Sequence, residues 1–243
     1  MDERAGLLNR CTMKVVPLVR IQHSPHNIFG NVKLFSYLCM ILKCMIEEIK
    51  QKLKQHHQLY RFPVKAELWE DIYDQVINSG SLGWNMGGHD VGTDVVSKDG
   101  GIRYQNKAGK IDLKNGTITW SGHRTTKHKT INDKVNFISE KHCDKYVMLA
   151  RNKDDWDRGI KKYYLLIFDS YLIDYSKLNW TEYTTKDTDN VAGWKGDSNE
   201  IPVSAKIIKT MSDQLWTEAK LDYLGEPIEI IINNDTDFFE YKE

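Results

Sequence analysis

Apolar positions change period several times along the chain, and each change marks an expected element. In "MIEEIKQKLKQHH", Ile46, Ile49 and Leu53 fall on one side of a helix. In "KAELWEDIYDQVIN", Leu68, Ile72 and Val76 recur every four residues, flanked by Trp69, Tyr73 and Ile77. These six residues cover one half of a second helix. Gly80, Gly83, Gly87, Gly88 and Gly92 then predict a loop. After it, "TDVVSKDGGIRYQNK" turns at Asp99-Gly100 and "KIDLKNGTITW" at Asn115-Gly116. Both dipeptides favour tight turns between β-rich runs, so a three-stranded antiparallel meander is expected over roughly residues 93–121. Thr130 opens the next helix, with Asp133 placed for a capping box. "KYVMLA" and "KYYLLIF" read as buried strands. "SAKIIKTMSDQLWTEA" reads as a helix, because Ile207, Met211 and Leu215 repeat every four. The order is helix, three strands, helix, strand, with additions at the C-terminus.

The first thirty residues carry no such period. "AGLLNRCT" and "PLVRIQHSP" have the look of a reading frame run through a transfer-RNA gene. Residues 1–44 are therefore set apart as a non-native or disordered extension, and 45–243 are expected to form one domain. The apolar run "VKLFSYLCMILKCMI" is interrupted by Lys33 and Lys43 and is too short and charged for a membrane span.

Composition adds one local feature. The formal net charge is zero. Yet residues 101–135 hold Arg103, Lys107, Lys110, Lys114, Arg124, Lys127, Lys129 and Lys134 against only Asp112 and Asp133. One concentrated basic segment in a neutral protein suits local binding of a polyanion. The cysteines, Cys11, Cys39, Cys44 and Cys143, form no CxxC pair. This argues against structural zinc and for a reducing, cytoplasmic setting.

Candidate chemistry lies on the meander. A two-residue turn at Asp99-Gly100 would pair Ser97 with Ile102, Val96 with Arg103, Val95 with Tyr104 and Asp94 with Gln105. Directly opposite residues share a face, with Cβ atoms about 5 Å apart. Lys107, two beyond Gln105, leaves that same face. Asp94 and Gln105 could thus hold a hard divalent cation, with Lys107 beside them to orient or deprotonate an attacking water.

The order αβββαβ, an Asp on the first strand and a (D/E/Q)-x-K triplet on the second resemble the PD-(D/E)XK nuclease superfamily. Within it, type II restriction endonucleases look most similar. The resemblance covers residues 65 to about 150 and carries Asp94 onto the family's acid, Gln105 onto its second ligand position and Lys107 onto its lysine. Gln105 departs from the usual Asp or Glu. The resemblance implies an α/β fold in the α+β sense, with a restriction-endonuclease-like core and a mixed central sheet flanked by helices. It also implies Mg2+ held by Asp94, Gln105 and the backbone carbonyl of Asn106, and often a Glu from the preceding helix. Measured from Leu68, Glu70 sits at about 200° on the helical wheel, on the rim of the apolar face, and Glu67 at about 260°, pointing outward. Glu70 is the expected contributor. The implied activity is sequence-specific cleavage of double-stranded DNA by a homodimer, with a cognate DNA methyltransferase as partner in the same system. The alternatives are a repair or recombination nuclease that recognises DNA structure, and a non-catalytic DNA-binding protein on the same scaffold.

The segment "SGHRTTKHKT" supplies candidate DNA contacts in Ser121, His123, Arg124, Thr125, Lys127 and Lys129, with Arg124 able to contact guanine bidentately. His56-His57 is expected at an exposed helix end. Trp180, Tyr183 and Trp194 either cover the core or line a groove. His89-Asp90 spells an HD dipeptide without a second His/Asp set.

Overall fold

A computed structural model describes residues 28–78, 93–97, 101–140, 142–185 and 188–232, of which 28–41, 185, 188 and 189 are described by backbone alone. The glycine-rich stretch with His89-Asp90, and the Asp99-Gly100 turn itself, lie outside the described residues. The protein is mixed α/β, a large mixed sheet flanked by helices. Helix α1 (Ile28–Leu59) precedes α2 (Ala66–Ile77). Strands β1 (Val95–Val96), β2 (Arg103–Asp112) and β3 (Thr117–Arg124) lead to α3 (Ile131–Ser139) and then to β4 (Lys145–Asn152). The expected order of helix, three strands, helix and strand is therefore present. β5 (Lys162–Asp169), β6 (Asn179–Thr185), β7 (Thr188–Asp197), β8 (Val203–Ile208), β9 (Gln214–Lys220) and β10 (Ile228–Ile231) extend the sheet. Its order is β10-β5-β4-β2-β3-β9-β8-β7-β6, with β1 added beside β2. β2 and β4 run parallel, and the other pairs are antiparallel.

Each face of the sheet has its own core. On one side α1 and α2 bury Ile49, Leu53, Trp69, Ile72 and Tyr73 against Tyr104, Val147 and Leu149. On the other, Ile138 of α3 packs with Ile118, Trp120, Met148, Trp194, Ile207 and Leu215. Local chemistry explains the connections. The Asp112 carboxylate accepts from the backbone N–H groups of Lys114 and Asn115 and from the Asn115 side chain, closing the β2–β3 turn ahead of Gly116 at φ +62°. Thr130 and Asp133 form the expected capping box of α3.

Several expectations are corrected. α1 begins at Ile28, so residues 28–44 continue the helix expected from Met45 onward. Leu68 is 36% exposed, because α2 turns its two aromatics inward. Trp69 donates its indole N–H to the Val147 carbonyl, and Tyr73 meets Tyr104 edge-on. His57 is half-buried, its Nε2 within 2.8 Å of the Tyr163 hydroxyl, and does not sit free at a helix end. Residues 204–219 form the β8–β9 hairpin where a helix was expected. A repeat of four is also a multiple of two. Ala205 and Ile207 on β8, and Leu215, Thr217 and Ala219 on β9, alternate inward as strand residues do, while Met211 is 47% exposed in the turn. Ser212 and Asp213 make that turn with φ of 56° and 48°. Trp194 is buried and Trp180 packs on the same core, so both cover the core.

Candidate active site

The hairpin has the expected register, with Val95 opposite Tyr104 and Val96 opposite Arg103. It departs at Asp94, whose backbone N–H donates to the Tyr104 carbonyl as the chain turns off the ladder. β3 joins the same edge of β2 only from Gly109 to Asp112. Between β1 and β3, among the described residues, that edge has a notch. N–H and C=O of one residue leave a strand on the same edge, so Asn106 presents both groups here, two residues beyond Tyr104. The Asp94 carboxylate replaces the missing strand: its Oδ2 accepts from the Asn106 N–H at 2.7 Å. Lys107 Nζ lies 3.3 Å from the same oxygen. The Asp94 and Lys107 side chains are only 14% and 17% exposed.

Gln105 is buried on the α3 side of the sheet, with Oε1 4.0 Å from Cys143 Sγ and Nε2 3.5 Å from His123 Nε2. The structure thus brings Asp94, the Asn106 backbone and Lys107 into contact, while the Gln105 side chain meets His123 and Cys143. Glu70 is half-buried on α2, whose aromatics pack on the opposite face of the sheet. It can approach the notch only from that far side. The Asn106 side chain also faces that side, fully buried and without a hydrogen-bond partner among the described residues.

His123, assigned from sequence to a DNA-contacting loop, belongs to β3 and points into this site. Ser121 pairs with Trp216 and Arg124 with Gln214, leaving Gly122 and His123 to oppose Leu215 alone. This β-bulge brings the imidazole onto the face that Leu215 occupies. A Cβ on Gly122 would come within 2.9 Å of Leu215, so glycine suits the bend. Gln214 anchors it by donating its amide N–H to the Gly122 carbonyl. The ring of His123 rests edge-on against Phe137 of α3. Burial first, then the Lys107 and His142 charges, push its pKa down to about 4, with Asp94 opposing. The imidazole is therefore neutral near pH 7. Nothing local in the sequence foretells this, because the bulge depends on β9, some ninety residues away.

Burial also raises the Cys143 thiol to about 11, so it is protonated and unreactive. A small polar cavity of about 20 Å³ lies beside Gln105 and His123, bordered by Ser139, His142, Cys143 and Tyr146. That is room for roughly one water.

The low His123 pKa has a stability consequence. The unfolded ring binds its proton near pH 6.5 and the folded ring only near pH 4, so the unfolded state holds more protons in between. Stability should fall as pH drops from about 6.5 toward 4, and His123→Gln should flatten that slope in melts taken across the range.

The remaining expected DNA contacts divide. Ser121 faces the other side of the sheet, beside Trp216. Arg124, Lys127 and Lys129 are exposed, with Arg124 Nε near the Gln214 amide oxygen. Thr125 is fully buried, its hydroxyl donating to the Asp213 carbonyl, and offers nothing to a ligand in this arrangement. Lys134, counted in the basic segment, is buried as well, and its ammonium donates to the carbonyls of Thr125 and His128 and to Asp213.

Among the described residues no three His, Cys, Asp or Glu side chains converge as a metal-binding group, and no helix is long and apolar enough to cross a membrane. The oxygen donors at the notch are instead the Asp94 carboxylate and the Asn106 backbone carbonyl, with the Gln105 amide on the adjoining sheet face. Oxygen donors of this kind fit a hard divalent cation that keeps several waters. No protein-family model and no curated protein matches the sequence.

Proposed function

We propose that this protein is a divalent-metal-dependent endodeoxyribonuclease acting on double-stranded DNA, in the manner of type II restriction enzymes. The observation that carries this reading is the position of Asp94 at the notch in β2, within 2.7 Å of the Asn106 backbone and 3.3 Å of Lys107, with Gln105 next to Asn106 on the strand. Asp94, the Gln105 amide and the Asn106 carbonyl would hold Mg2+, with Glu70 reaching its waters from the far side. The ion would supply Lewis-acid neutralisation of charge at the scissile phosphate. Lys107, drawn away from Asp94 when a cation takes that carboxylate, would orient the attacking water and stabilise charge on the phosphoryl oxygens. Asp94 and Lys107 cancel in charge, so the notch by itself attracts a cation weakly. The DNA phosphate supplies the missing negative charge, and metal and DNA should bind cooperatively.

Arg124, Lys127 and Lys129, exposed where β3 runs into α3, would meet the duplex. Cleavage of both strands calls for two copies of the site, hence a homodimer, and a restriction role implies a partner methyltransferase in the cytoplasm. Incubation with plasmid DNA and Mg2+ tests the reading. Discrete bands support a restriction enzyme, and nicking or a smear supports a structure-recognising nuclease. A mobility shift without cleavage supports a non-catalytic DNA-binding protein, the outcome that the amide at Gln105 would then explain.

Two further outcomes separate chemistry from positioning. Gln105→Glu places a second carboxylate at a buried position, so the metal-free protein should melt lower in a thermal scan, while Mg2+ affinity in a calorimetric titration holds or rises. Weaker Mg2+ binding in Gln105→Glu would remove residue 105 from the metal site. Arg124→Ala should reduce selectivity between cognate and other sequences. Lys127→Ala and Lys129→Ala should weaken binding to all DNA and lower the salt slope by about one each.

A further inference from the structure

We propose that His123 is a nitrogen donor to the cation held at the notch, so that the site favours Mn2+ over Mg2+. The inference rests on the proposed metal site and names its ion preference. Three observations support it. The bulge at Gly122-His123 is a built feature, closed by Gln214 and fitted around Leu215, and it turns the imidazole to the face that carries Gln105. His123 Nε2 lies 3.5 Å from the Gln105 amide nitrogen, a position the amide oxygen takes when the amide is turned over. Two ligands of one octahedral ion with bonds of about 2.1 Å stand about 3 Å apart, so a small closure brings both onto a shared ion. Finally, Phe137 packs edge-on against the ring and holds it in this pose.

The chemistry follows from donor type. A site with amide oxygen in place of a second carboxylate loses charge, and Mg2+, which depends on hard charged oxygen, loses most by it. Imidazole nitrogen suits transition ions, and the loss is made up for Mn2+.

The test uses the full chain and MnCl2, read by pulsed electron paramagnetic resonance without DNA. Nitrogen modulation from a coordinated imidazole is expected in the wild type. It should vanish in His123→Gln, with Mn2+ affinity falling about tenfold and Mg2+ affinity changing much less. Asp94→Asn should remove Mn2+ binding altogether. Bound Mn2+ without nitrogen modulation in the wild type would overturn the proposal, and that measurement needs no variant to fold. Modulation that persists in His123→Gln would overturn it too, by assigning the nitrogen to another group. Mg2+-dependent cleavage in a protein that fails these tests leaves the nuclease reading standing. Absence of cleavage with either ion, despite nitrogen-coordinated Mn2+, would overturn the nuclease reading and leave His123 a ligand.

Discussion

Lys107→Ala should reduce DNA cleavage by about 10³-fold or more while leaving the fold intact. The ammonium is held close to Asp94 and is largely withdrawn from water, so its loss removes the positive charge that the site holds at Asp94. Asp94→Ala should remove cleavage to the same extent but at a cost in stability. Its carboxylate also satisfies the Asn106 N–H on an edge where no strand among the described residues does so, and an orphaned backbone donor there costs about 1–3 kcal/mol. The two variants therefore differ in a melt and agree in a plasmid assay. Near wild-type cleavage by Lys107→Ala would move the active site away from the notch.

The second large effect is structural. Lys134 is 2% exposed, and its charge is balanced by Asp213 at 2.8 Å. Asp213→Asn removes the countercharge and leaves a buried ammonium with carbonyl partners only. It should destabilise the protein by about 3 kcal/mol. For a chain of this length that lowers the melting temperature by roughly 6–12 °C. Asparagine tolerates the left-handed conformation of Asp213 at φ 48°, so the loss reads the charge and not the backbone. Because Lys134 ties down the carbonyls of Thr125 and His128, the segment bearing Lys127 and Lys129 should loosen, and DNA binding should weaken with it. A loss below about 1 kcal/mol would mean that water reaches the pair and screens it.

Much of this protein was determined by local sequence. The hairpin register that sets Val95 against Tyr104 follows from turn chemistry and strand alternation, and the Thr130–Asp133 cap from residues three apart. Asp94, Gln105 and Lys107 could be grouped from that register alone, since all three lie within one hairpin. Interactions spanning a few residues leave their mark on neighbouring positions. The tertiary structure decided what depends on distant strands. β8 and β9 pair with each other and with β3, and this long-range pairing overrides a four-residue repeat that strand and helix can both satisfy. The same pairing with β9 creates the bulge that carries His123 from an expected DNA-contacting loop to the side of Gln105. It also places Asp213 under Lys134 and so withdraws Thr125 from the surface. Burial is set by which elements pack together, and a charge or hydroxyl in sequence carries no sign of whether a strand some ninety residues later will cover it.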